Sequence, residues 1–286
     1  MTLADELSEA ERILTGAGID TARSDAEWIA AAALGERRSA MLARANAALS
    51  DGVAGHFGDM ISRRAKREPL AYVIGSVVFR GIELEVGPGV LVPRPETEIT
   101  AERAILRARE QKRRPTVVDV GTGCGAIALA LAAEVPGARI FATEASGAAR
   151  GWALRNLART GLRCTLLPGD LLTPMHPALG GGLDVVVSNP PYVASARWNA
   201  LDPEIREHEP REAVIAGQTG FEVLVTLIEQ VRLWIAPGGW VVLEVGDDQA
   251  GTVSALLESV GFANVAVTND LAGRERVVEA RFMGGL

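Results

Sequence analysis

Three features of the chain predict an α/β fold: apolar strand-like runs alternating with helical patterns from residue 116 onward, a glycine-rich turn where the first of those strands meets its helix, and a front part with helical periodicity alone. The expected architecture is a seven-stranded sheet in residues 99–286 with helices on both faces. A small helical bundle (1–75) and a β-hairpin linker (76–98) precede it.

The elements follow in order. Leu3, Leu7, Ala10 and Leu14 repeat at helical spacing until the turn Gly16-Ala17-Gly18. Ser24-Asp25-Ala26-Glu27 has the form of a capping box, so a second helix is expected to start there and run through Trp28 to Leu34. Further helices are expected over 39–49 and over 51–67, the latter with Val53, Phe57, Met60, Ile61 and Arg64 on one side. From 77 to 92 the residues alternate between β-branched and apolar types and include Gly81, Gly87 and Gly89, the pattern of a hairpin. Beyond Arg113-Arg114-Pro115, strands at 116–120, 139–143, 164–167, 183–188, 240–245 and 264–268 alternate with helices at 126–134, 148–159, 221–235 and 249–260. Repeated βα steps imply parallel pairing. The last strand, 276–282, follows a short glycine-containing turn and is expected to pair antiparallel.

Bulk composition limits the function classes. With 286 residues, 48% hydrophobic and 23% charged, the chain resembles an ordinary globular protein, and its apolar stretches are too short to span a bilayer. Met1 to Glu6 open an amphipathic acidic stretch and lack the basic-then-apolar form of a secretion signal. Two cysteines, Cys124 and Cys164, form no disulfide framework, and a reducing cytoplasm is the expected location. A net charge of −7 argues against binding nucleic acid through its backbone. The basic runs Arg63-Arg64-Ala65-Lys66-Arg67 and 107–114 are expected to be a solvated helix face or linker. His56, His176 and His208 are scattered without ligand spacing, so no metal site is expected.

Asp119-Val120-Gly121-Thr122-Gly123-Cys124-Gly125 occupies the first strand-to-helix turn, where open α/β sheets bind ligands. Glu144 ends the next strand, where a carboxylate can hold both ribose hydroxyls, and Gly169-Asp170 ends the third, positioned for an adenine amino group. Asp119 either organises the loop or faces the positive end of the cofactor. The glycines alone fit a dinucleotide nearly as well as S-adenosylmethionine. Asn189-Pro190-Pro191-Tyr192, after the fourth strand, decides between them. The Asn189 side-chain oxygen and the Pro190 carbonyl can accept hydrogen bonds from an NH2 group, and Tyr192 can pack on its planar face. Such a grip suits methylation of an amide or amine, with S-adenosylhomocysteine as the product, and a hydride-transfer enzyme has no evident use for it.

These segments resemble the release-factor glutamine methyltransferases of the PrmC/HemK type, which have a Rossmann-like fold. The likeness runs through Arg67 to Gly75, Leu91-Val92-Pro93-Arg94-Pro95-Glu96-Thr97-Glu98, the glycine loop, Asn189 to Tyr192, Glu209-Pro210-Arg211, Leu243-Glu244-Val245-Gly246 and Asp270 to Arg274. It implies methylation of a glutamine side-chain amide in the Gly-Gly-Gln loop of a peptide chain release factor. It also implies that residues 1 to about 75 hold that protein, that Gly121 to Gly125, Glu144, the Asp170-Leu171 region and Asn189 lie at the cofactor, and that Arg94 to Glu98, with Arg94, Glu96 and Glu98 foremost, line the mouth of the site. Glu96 and Glu98 equally suit a helix N-terminus after Pro95. Three positions depart from the family pattern: Thr219, Leu171 and Gly147, the last in Ala145-Ser146-Gly147. They leave open a specialised relative acting on another protein or a small molecule. An adenine N6-methyltransferase of nucleic acid and a non-catalytic cofactor-binding scaffold are the other readings.

Overall fold

The computed structural model describes residues 2–111 and 114–284. In chain order it contains α1 (Leu3–Gly16), α2 (Ala22–Leu34), α3 (Arg38–Leu42), α4 (Asp51–Ala65), α5 (Leu70–Ile74), β1 (Ser76–Phe79), β2 (Ile82–Glu85) and α6 (Thr97–Arg109). Then come β3 (Thr116–Val120), α7 (Ala126–Glu134), β4 (Arg139–Glu144), α8 (Gly147–Thr160), β5 (Thr165–Pro168), β6 (Leu183–Ser188), β7 (Val193–Ala194) and α9 (Pro203–His208). The chain ends with β8 (Ile215–Gly217), α10 (Glu222–Trp234), β9 (Ile235–Glu244), α11 (Ala250–Ser259), β10 (Phe262–Asn269) and β11 (Glu275–Phe282). It divides into two compact units, one of Met1–Ser76, Val86–Pro88 and Leu201–His208, the other of Val77–Glu85, Gly89–Ala200 and Glu209–Leu286.

The first unit is helical. Leu7, Leu14, Ile29 and Met41 are fully buried and pack with Phe57, Met60 and Ile61 of α4; burying each such side chain contributes about 1.5–3 kcal/mol. The expected capping box at Ser24 does not form. Helix α2 starts earlier, at Ala22, and the Glu27 carboxylate is taken by Arg23 at 2.7 Å and Arg38 at 2.5 Å, charged partners that outcompete a backbone amide. A reciprocal box forms instead at Thr2 and Asp5. The helix expected over 39–49 stops at Leu42, because the carbonyls of Ala45 and Ala47 accept from the first amides of α1, Ala4 and Leu3. The basic run near α4 is exposed at Arg63 and Lys66, as a solvated face would be, but not at Arg64. Arg64 is buried, with Nε donating to Asp25 at 2.8 Å and Nη1 to Glu204 at 2.9 Å.

The second unit carries a seven-stranded sheet of order β10-β11-β9-β6-β3-β4-β5, in which β11 alone runs against its two neighbours. After β3 the chain steps to β4 and β5, then crosses back to place β6 on the other side of β3. That reversal opens a crevice at the carboxyl ends of β3 and β6. One face of the sheet, with Val118, Val120, Val186, Val241 and Leu243, packs on Leu224, Leu227, Ile228 and Val231 of α10 and on Val253 and Leu257 of α11. Helix α6, of which the sequence reading weighed only a start after Pro95 at Glu96 and Glu98, packs against β6, β9 and β11. Its residues Thr97, Thr100, Ala101, Ala104, Ile105 and Ala108 form a buried stripe at helical spacing. Arg103 and Arg107 on the same helix converge on the fully buried Glu279 of β11, at 2.5 and 2.6 Å. Part of the 107–114 basic run is thus paired, and Lys112 and Arg113 lie outside the described residues. Among the described residues no helix is long and apolar enough to cross a membrane.

Candidate active site

A cavity of about 310 Å³ lies over the crevice, wholly within the second unit. Its wall is built from the ends of four adjacent parallel strands. Asp119 to Cys124 come from β3, Glu144 to Ser146 from β4, Gly169 to Leu171 from β5, and Ser188 to Pro191 from β6. The turn after β3 requires glycine, since Gly121 and Gly123 have φ of +70° and +59°. Gly125, also read as a cofactor residue, is not on the wall. At φ +93° it caps α7, and a Cβ there would stand 3.3 Å from Leu129 Cδ1.

The carboxylates hold the loop together. Asp119 Oδ2 accepts from Thr122 Oγ1 at 2.5 Å and from the Ala128 amide at 3.0 Å, fastening the turn to α7. Its Oδ1 is buried without a hydrogen-bond partner. Burial pushes the Asp119 carboxyl up to about 7, against the pull of Thr122 and Ala128 and with some help from Glu144. Glu144 accepts from the Gly123 amide at 2.9 Å and the Ser146 amide at 2.8 Å, spanning two loops. Cys124 is buried and its thiol is pushed up to about 12 by desolvation, so it is not a nucleophile at neutral pH. Among the described residues no group of histidine, cysteine and carboxylate side chains could hold a metal ion.

Asn189 lines the cavity, and its Nδ2 donates to Thr97 Oγ1 at 3.0 Å. That leaves Oδ1 to accept from a ligand. Tyr192 is not on the wall: a Cβ on Gly246 would lie 3.0 Å from its Cδ2, which places the ring edge against that glycine. Gln249 clamps the surrounding backbone, Nε2 donating to the carbonyls of Tyr192 (3.0 Å) and Gly220 (3.1 Å) and Oε1 accepting from Gly246 (2.9 Å). Arg94, Glu96 and Glu98 are also off the wall, although their neighbours Pro93 and Thr97 are on it. Arg94 pairs with the buried Glu209 at 2.5 Å, Glu96 with Arg274 at 3.4 Å, and Glu98 accepts from the Arg80 amide at 2.9 Å.

The three departures have local explanations. Ser146 accepts from the Ala149 amide at 3.3 Å and caps α8, which begins at Gly147. Leu171 adopts φ +47°, a left-handed turn after β5. Thr219 shares its loop with Glu222, whose carboxylate accepts from the amides of Thr219 (2.8 Å) and Gly220 (3.0 Å). The sequence reading assigned no role to Thr100, Glu209, Glu244 or Gln249, and touched Thr97 only as part of the 94–98 mouth segment implied by resemblance. Glu209 and Glu244 did stand in segments of family resemblance, which was the one available signal.

Comparison with known proteins agrees with this geometry. Residues 5–75 match the model of the PrmC N-terminal domain, and residues 100–205 that of the methyltransferase small domain. A release factor glutamine methyltransferase from Streptomyces coelicolor is 40% identical over 281 residues, covering 98% of each chain. One from Geobacter sulfurreducens is 38% identical over 264 residues, 92% of this chain and 91% of its own. A methyltransferase structure from Pyrococcus furiosus superposes with a TM-score of 0.52 at 21% identity, covering 78% of this chain and 99% of that one. The last likeness is one of fold.

Proposed function

The chain belongs to the release factor glutamine methyltransferases, and from that premise we propose that it methylates the side-chain amide nitrogen of the glutamine in the Gly-Gly-Gln loop of a peptide chain release factor. The observation that carries the reading is the direction of the Asn189 side chain. With its N–H engaged by Thr97, it offers an acceptor oxygen to an NH2 group inside a cavity that also contains the glycine loop.

The residues present fit S-adenosylmethionine. The unpartnered buried Oδ1 of Asp119 suits the positive end of that molecule, Glu144 its ribose hydroxyls, and the Asp170-Leu171 segment its adenine. When bound, the cofactor supplies an electrophilic methyl group on a sulfonium. The protein's task is to present a poor nucleophile. An amide nitrogen is delocalised into its carbonyl, so it must be aligned and separated from water before it attacks. Asn189 Oδ1 and the Pro190 carbonyl accept the two N–H bonds and aim the nitrogen, and Pro191 helps to exclude water. The ring of Tyr192 and the Gln249 clamp keep this loop in place. No strong base is needed before attack, since the nitrogen proton becomes acidic as the new bond forms. Residues 1 to about 75 would hold the release factor.

The test is transfer of radiolabelled methyl from S-adenosylmethionine to a purified release factor, beside the same factor with its loop glutamine changed to alanine. Label on the first alone is the expected result. Equal label on both, or on neither, would overturn the assignment.

A further inference from the structure

Strands β6 and β9 pair in parallel with Ser188 opposite Leu243, so Asn189, just past β6, and Glu244, the last residue of β9, stand next in register at the sheet edge. Helix α6 covers that edge and presents Thr97 and Thr100 one turn apart on the same face. Asn189 Nδ2 donates to Thr97 Oγ1 at 3.0 Å, Thr100 Oγ1 donates to Glu244 Oε2 at 3.0 Å, and the Thr97 and Thr100 hydroxyls both favour the ionised form of the Glu244 carboxylate. Thr97, Thr100 and Glu244 are all buried.

We infer that Thr97 and Glu244 are positioning residues that fix which way the Asn189 amide faces, so that its oxygen and not its nitrogen meets the substrate; this rests on the glutamine-methylating reading of the site. The direction follows from counting protons. An ionised carboxylate only accepts, so the single hydroxyl proton of Thr97 goes to Glu244. The Thr97 oxygen then has only lone pairs left, and the atom of Asn189 that approaches it must be the N–H bearing one. Without the Thr97 hydroxyl the amide is free to turn. Once turned, it meets the substrate NH2 donor against donor. Protonating Glu244 has a related effect, because a carboxyl O–H can donate to Thr97 and release the threonine proton toward the amide oxygen. Three other groups face Glu244: Arg276 from β11 favours its ionised form, Glu96 ahead of α6 disfavours it, and Tyr192 lies within its field. Burial outweighs the threonine hydrogen bonds and pushes Glu244 up to about 7, so both polarities are accessible near neutral pH.

The experiment uses Thr97→Val, Thr97→Ser and Glu244→Gln in the full chain, with two readouts. In the free protein, the side-chain amide signal of Asn189, assigned by its loss in Asn189→Ala, is followed by NMR between pH 5.5 and 8. Wild type is expected to show a titrating signal protected from solvent exchange. Thr97→Val should exchange about tenfold faster, and Glu244→Gln should abolish the titration. In methyl transfer at saturating cofactor, Thr97→Val should lose about 10–100-fold in kcat with cofactor Kd within about twofold. Thr97→Ser should restore most of kcat, and Glu244→Gln should remove the acid limb of the kcat profile. An Asn189 amide signal unchanged in Thr97→Val, or an unchanged kcat, overturns the inference. A wild-type protein that labels no release factor while the amide signal behaves as expected overturns the glutamine reading instead.

Discussion

Asp119 is expected to couple proton release to cofactor binding. Its carboxyl is raised to about 7 by burial, and its Oδ1 is buried without a partner. A cation placed against that oxygen favours the ionised form, so below pH 7 binding must displace a proton. In the limit where only ionised Asp119 binds, the competent fraction is about 3% at pH 5.5 and about one half at pH 7, a rise in affinity of about fifteenfold. The window ends below the range where an α-amino group itself titrates, about 7.7–8.0, so the ligand's own ionisation does not contribute. Calorimetric titration with S-adenosylmethionine at pH 5.5, 6, 6.5 and 7, in two buffers of different ionisation enthalpy, reads both the affinity and the protons released. Asp119→Asn should flatten the profile and release no proton. Glu244→Gln, which removes the other carboxyl raised to about 7 but lies off the cavity wall, should keep the slope. A wild-type affinity independent of pH, or an undiminished rise in Asp119→Asn, would refute the reasoning.

Asn189→Ala is expected to lower turnover by about 100-fold or more while leaving cofactor Kd within a few-fold, as read by parallel activity and binding assays. Asp25→Ala leaves the buried Arg64 guanidinium without one of its two carboxylates, so urea unfolding should show a loss of about 3 kcal/mol. Glu279 is pushed up by burial, but Arg103 and Arg107 outweigh that and hold it below its ordinary value of 4.5. Its contribution is therefore complete above about pH 4.5 and disappears as pH falls through the lowered value. Glu279→Gln should be less stable than wild type at pH 7 by about 2 kcal/mol, and urea midpoints measured down to pH 3 should bring the two proteins together.

The sheet was legible in the sequence because each strand is a short β-branched run and each crossover helix an apolar one. Strand 183–188, buried throughout, and helix 126–134 match the observed β6 and α7 in both bounds. Beyond a start weighed at Glu96 and Glu98, the course of helix α6 escaped notice because its stripe is built largely from alanine and threonine, and three arginines and two glutamates interrupt the hydrophobic signal. Ser24 and Glu27 misled because a capping box is a local pattern, whereas Glu27 answers to Arg38, eleven residues on. That the glycine loop, Glu144, Asp170 and Asn189 would gather at one cavity was legible from their places at strand ends beside a predictable crevice. The juxtaposition of Thr97 with Asn189 and of Thr100 with Glu244 was not, since it depends on strand register and on the course of α6. Arg94, Glu96 and Glu98 were read by resemblance as mouth residues, and their ion-pair and backbone partners were visible only in three dimensions.

The reversed direction of β11 has a consequence for how such a protein can change its target. In the rest of the sheet, the edge that carries the site receives only the exits of strands, and the return paths into β4, β5, β9 and β10 each contain a helix. The β10–β11 turn arrives at that same edge as a hairpin tip, with Asp270 bracing it through the amides of Ala272 and Arg274 and Leu271 wholly exposed at its apex. A tip of this kind can be lengthened, shortened or re-lettered without disturbing a crossover or the register of the parallel strands. Divergence in what the site accepts has a low-cost place to accumulate there, separate from the carboxylates and glycines that the cofactor would require.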